Sequence, residues 1–118
     1  MTAPWLLACA SVRAALGVLL QEDAAEIVSA LTTLRTWAKG DAGVDLLMCR
    51  YRLWTVRNRL QRVMFDVRRD SRAPRGSYAA AHRRYLVAQF AFALAQAAIE
   101  PDYATESIHD ALTLEVMP

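Results

Sequence analysis

From Val44 to Arg69 the chain reads VDLLMCRYRLWTVRNRLQRVMFDVRR. Within it Leu46, Cys49, Leu53, Val56, Leu60, Val63 and Val67 follow one another in steps of three and four without a break. An α-helix turns once every 3.6 residues, so these positions lie along one side of a single helix and form a continuous apolar seam. The segment Ser77 to Glu100 repeats the device with Tyr78, Ala81, Tyr85, Ala88, Phe92, Ala95 and Ile99. Between them stands Asp70-Ser71-Arg72-Ala73-Pro74-Arg75-Gly76, a polar link that a helix cannot cross because of Pro74 and Gly76. A short link lays successive helices antiparallel and side by side. The alanines at every second seam position of the later helix allow its neighbour to approach closely.

Outward from this hairpin, three further helical segments are predicted. The first covers about Pro4 to Leu20, with Pro4 in the first turn, where a missing N–H is no loss. The second covers about Asp23 to Lys39. Its start carries Glu22, Asp23 and Glu26 and its end Arg35 and Lys39, the order that suits the helix dipole. Gly40 and Gly43 are expected to bracket the turn that follows, using the positive φ open to glycine. After Pro101 a short fifth helix is expected from about Thr105 to Leu114. The fold class is therefore all-α, an antiparallel helical bundle of four to five helices around a long helical hairpin.

Composition agrees with that class. The chain has 118 residues, 55% hydrophobic and 22% charged, with 22 alanines, 15 leucines and only four each of Gly and Pro. Residues 1–118 are read as one domain with one core and no repeat. The opening Pro4-Trp5-Leu6-Leu7-Ala8-Cys9 superficially resembles a lipoprotein cleavage box, but no basic residue precedes it and the apolar stretch is too short. The longest apolar run, Tyr85 to Ile99, contains Gln89 and Gln96 and falls short of the ~20 residues of a membrane span. A cytoplasmic, soluble protein without a membrane partner is expected. Cys9 and Cys49 stand apart from each other and from His, and are expected as buried apolar residues.

Charge is strongly segregated. Residues 50–84 carry 11 of the 14 basic residues against two acids, Asp66 and Asp70, a net of +9. Residues 1–49 carry a net of −2, and residues 85–118 hold five acids and no base. At about 100° per residue, Arg52, Arg59, Arg62 and Arg69 lie within about 100° of one another, opposite the apolar seam. Arg50, Arg57 and Arg68 form a second row at the seam's edge. Arg72 and Arg75 occupy the link, and Arg83 and Arg84 the next helix. From Arg52 to Arg69 the helix is roughly 25 Å long, enough to follow several phosphates. Guanidinium groups make forked hydrogen bonds to phosphate, and counterion release then supplies affinity without sequence preference. The competing account is a solvated face in a chain that uses 13 Arg and one Lys. Such a bias alone would spread arginine evenly, which favours binding to nucleic acid or another polyanion.

A further stripe, Leu47, Tyr51, Trp54 and Phe65, runs between the two arginine rows and is interrupted by Asn58. Aromatics among arginines can stack the bases of a single strand. The reading preferred from sequence is packing, either against the first two helices or against a neighbouring subunit.

No glycine-rich phosphate loop, nucleophile elbow, paired metal-spaced His or calcium loop occurs, so no catalytic residue, metal or cofactor is expected. Asp66 and Asp70 sit among arginines, and His82 and His109 fall on different helices. Arg75 and His82, with six residues between them, resemble the Arg–His signature of the HEPN ribonucleases, with Arg75 in the link instead of on the helix of His82. That resemblance implies His82 activating a ribose hydroxyl and Arg75 stabilising phosphate charge.

A short all-helical chain with arginine concentrated on one long helix, at Arg52, Arg59, Arg62 and Arg69, also resembles the small helical subunit of class 1 CRISPR effector complexes. The likeness covers size, helix content and charge layout. It implies a non-catalytic subunit of a nucleoprotein assembly that holds nucleic-acid backbone, single-stranded or guide-paired. Its partners would be other subunits and copies of itself. The alternative is an adaptor or inhibitor module that docks its basic face on an acidic protein.

Overall fold

The computed structural model describes residues 2–116, which are mostly helical and among which there is no strand. The helices are α1 (Ala3–Ala14), α2 (Gln21–Ala38), α3 (Leu46–Arg69), α4 (Ser77–Ile99) and α5 (Ala104–Leu112), joined and followed by short 3₁₀ turns. They form an all-α bundle measuring 49 × 27 × 25 Å, and the α3–α4 hairpin is its longest feature. Among the described residues, no helix is long and apolar enough to cross a membrane.

Local chemistry sets the ends of these helices. Asp45 caps α3, its Oδ1 accepting from the Met48 amide at 2.9 Å. The link turns on Asp70, whose Oδ1 accepts from the Arg72 amide at 2.9 Å. Gly76, at φ 88°, then starts α4. At the end of α2, Gly40 takes φ 107°. There the Gly40 amide donates to the Trp37 carbonyl and the Asp41 amide to that of Thr36, satisfying carbonyls the helix leaves open. Gly43 departs from expectation: its φ is not positive, and its amide donates to Asp41 Oδ1 at 2.9 Å.

The first helix is shorter than the sequence reading, ending at Ala14 instead of about Leu20. Gly17 lies in the 3₁₀ turn Leu16–Val18, and Leu19 is extended at φ −92° and ψ 157°. That break lets the chain reverse into α2. Trp5 and Trp37 then meet edge to face, centroids 4.9 Å apart, where the start of α1 adjoins the end of α2.

The core is built from Val12 of α1, Ile27, Leu31 and Leu34 of α2, Leu53 and Val56 of α3, and Val87 and Leu94 of α4. The fourth helix is the pivot, in contact with each of the other four. Ala81, Ala88, Ala91, Ala95, Ala97 and Ala98 are buried on it, so small side chains let its neighbours close in on more than one side. The seam of α3 is buried at Cys49, Leu53, Val56 and Leu60 and then shifts: Met64 is buried while Val63 is 42% exposed. The cause is length. Arg59 is level with Asp23 in the first turn of α2, so the last turns of α3 outrun that cover and keep only the side toward α4.

Cys9 and Cys49 are both buried free thiols, and Cys49 Sγ donates to the Ala30 carbonyl at 3.4 Å. Burial pushes the Cys9 thiol up to about 11 and that of Cys49 up to about 12, with Cys9 adding to the effect on Cys49.

Candidate nucleic-acid interface

The arginines of the hairpin divide into two groups, and the division follows the packing of α3. Those that lean toward α4 are tied. Arg50 Nη1 donates to Gln96 Oε1 at 3.1 Å. Arg57 donates from Nε to Gln89 Oε1 and from Nη1 to Asn58 Oδ1 at 2.7 Å, and its guanidinium lies 5.7 Å from the ring centroids of both Tyr85 and Phe92. Arg84 reaches across the bundle, Nε donating to the Val18 carbonyl at 2.9 Å, and so locks the turn between α1 and α2. Arg83, also on α4, is half-buried.

One arginine of the outer row is tied as well. Arg59 Nη2 donates to Asp23 Oδ1 on α2, and the Asp23 side chain is only 6% exposed while that of Arg59 is 50% exposed. Arg59 therefore neutralises a buried carboxylate, and its charge is not spare. Asp23 had only a helix-dipole role in the sequence reading.

The second group is open. Arg52, Arg62, Arg68, Arg69, Arg72 and Arg75 are exposed, and among the described residues none of their side chains makes a hydrogen bond or ion pair with another residue. All but Arg52 belong to the last turns of α3 and the link. Asp66 is the exposed acid among them, sharing a shallow hollow with Asn58, Gln61, Arg62, Phe65 and Arg69. The carboxylate of Asp70 is engaged by the turn of the link.

The aromatic stripe lies beside these arginines and faces solvent. Leu47 is 61% exposed, Tyr51 60%, Trp54 47% and Phe65 39%. Tyr51 and Trp54 stack on each other at 6.2 Å and 24°. This corrects the expectation that α1 and α2 cover the stripe. The sides of α3 toward α2 and α4 are already occupied, and no described element lies over the third.

At the opposite end of the rod the surface is acidic. Glu100, Asp102 and Glu106 are exposed around Tyr103, and a shallow groove there also reaches Phe92, Gln96 and Asp110. Between α2 and α3 lies a mixed-charge groove of about 660 Å³, with Glu22 and Glu26 on one wall and Tyr51, Arg52 and Arg59 on the other.

The two histidines are placed apart. His82 is exposed on α4 with its ring parallel to that of Tyr78, 5.9 Å away, and Arg75 stays in the link outside that helix. His109 is on α5, its Nδ1 3.8 Å from Asp110 Oδ1. Among the described residues no cluster of His, Cys, Asp and Glu is placed to hold a metal ion.

No protein family matches the chain, and no curated protein or solved structure matches it. The functional reading therefore rests on the surface itself.

Proposed function

We propose that this protein binds nucleic-acid backbone without sequence preference, through Arg52, Arg62, Arg68, Arg69, Arg72 and Arg75. The observation that carries the reading is the crowding of exposed guanidinium groups, all but Arg52 at one end of a 49 Å rod and without carboxylate partners among the described residues. A buried or paired guanidinium has its charge spent within the fold. An exposed unpaired one holds a counterion atmosphere that a polyanion releases on binding. The assignment omits Arg50, Arg57, Arg59 and Arg84, whose guanidiniums serve the fold. In this reading the chain is a non-catalytic helical subunit of a nucleoprotein assembly, similar in size and charge layout to the small subunit of class 1 CRISPR effector complexes.

The test is a salt titration of binding to several unrelated single-stranded DNA and RNA oligonucleotides, followed by fluorescence anisotropy. Expected are similar affinities for all sequences and a linear fall of log affinity with log salt, about 0.7 per phosphate contacted. Arg62→Glu and Arg69→Glu should weaken every oligonucleotide alike and flatten the slope by about 1 each. Affinity independent of salt, or no binding at 50 mM salt, removes the reading and leaves docking on an acidic protein in its place.

A further inference from the structure

We propose that the outer stripe of α3 is the contact surface for a second copy of this chain, docked antiparallel. The stripe is a seam in its own right. Leu47, Tyr51, Trp54, Asn58, Gln61 and Phe65 recur in steps of four and three, the same pattern as the buried seam but about 150° around the helix. It extends from Leu47 to Phe65, roughly 27 Å of helix. Four large apolar side chains in one exposed row are more than a solvated face requires. The first seam of α3 is packed against α2 and α4, and the second is left without a partner among the described residues.

Charge identifies the second partner and its direction. One end of the rod carries Arg68, Arg72 and Arg75; the other carries Glu100, Asp102 and Glu106, and all six are exposed. A two-fold axis lying in the contact plane, perpendicular to α3, sets Leu47 over Phe65 of the second copy and Trp54 over its Asn58. The same operation keeps the α4 sides of the two copies together. The acidic end of each molecule therefore meets the basic end of the other, twice over. A parallel dimer would instead press like charge on like at both ends, which is unfavourable.

The arrangement leaves Arg52, Arg62 and Arg69 on the α2 side of the contact. The two-fold brings those of both copies onto one side of the dimer, where they form a single basic track. Self-association needs no nucleic acid, so it stands or falls independently of the backbone-binding reading.

The experiment is sedimentation equilibrium of the full chain, free of nucleic acid, from 5 to 200 µM at 50 and 500 mM salt. Expected is a mass twice the 13.2 kDa of one chain, with dissociation favoured by high salt. Leu47→Glu with Trp54→Glu should leave a monomer of unchanged helical circular dichroism, since both side chains are exposed, with a melting temperature that no longer rises with protein concentration. Direction is read by cross-linking. A mixture of Leu47→Cys and Phe65→Cys chains should form a disulfide-linked dimer on oxidation, which neither variant forms alone. A monomer throughout the concentration range overturns the proposal. So does rapid cross-linking of Leu47→Cys to itself, which signals a parallel pair. Quenching of Trp54 fluorescence by an oligonucleotide in a protein that stays monomeric would assign the stripe to base stacking instead.

Discussion

Arg59 on α3 is the hydrogen-bonding and ionic partner of Asp23 on α2, a carboxylate almost completely withdrawn from water. A buried charge whose partner is removed keeps its desolvation penalty and loses its compensation. Arg59→Ala should therefore destabilise the fold by about 1–3 kcal/mol, the lower half of the range reflecting a guanidinium that is itself half in water. Arg62→Ala, three residues on and unpaired, should stay within about 0.5 kcal/mol of the parent. Adding Asp23→Asn to Arg59→Ala should recover part of the loss, because the buried group is then neutral. Urea unfolding of the four proteins decides it, and equal midpoints for Arg59→Ala and Arg62→Ala would contradict the pairing.

Arg57 gives the opposite partition between fold and function. Its guanidinium is held by Gln89, Asn58 and two aromatic rings, an environment that uses the plane and fork of arginine and not merely its charge. Arg57→Lys keeps the charge and loses the fork, so stability should fall by about 1–2 kcal/mol while oligonucleotide affinity is unchanged. Arg69→Lys should do neither. Loss of affinity in Arg57→Lys without loss of stability would move Arg57 into the binding surface.

The long hairpin was legible because its signals are local: unbroken three-and-four spacing on two segments and a link that Pro74 and Gly76 forbid to be helical. Gly40 was legible for the same reason, its positive φ closing α2. The end of α1 was not, since Gly17 alone does not say whether a helix bends or stops. The exposure of Val63 depends on how far α2 reaches along α3, which no property of α3 encodes. Likewise, the charge map separated the arginines by position but not by employment. One clue was present: Gln89 and Gln96 interrupt an apolar helix at a spacing of seven, and so do Arg50 and Arg57 on the antiparallel neighbour. Matching the two pairs fixes the register of the hairpin and removes both arginines from the binding surface. No comparable local clue marked Asp23.

The two buried thiols make stability depend on pH at the alkaline side. Thiols of the unfolded chain titrate near 9.0, whereas those of the fold are held up to about 11 at Cys9 and about 12 at Cys49, chiefly by burial. Above pH 9 the unfolded chain releases protons that the folded one retains, so the unfolded state gains. The thiol contribution is complete below about 9 and is lost progressively as pH climbs through the folded values. Urea midpoints should therefore fall between pH 8 and 10.5, and the fall should be shallower in Cys49→Ala than in the parent. The same burial leaves almost no thiolate at neutral pH, so a thiol-specific reagent at pH 8 should modify the unfolded chain at once and the folded chain only as fast as it opens. Immediate modification of the folded protein at both cysteines, or identical pH slopes for parent and Cys49→Ala, would show that the thiols are not shielded as the packing of α1, α2 and α3 requires.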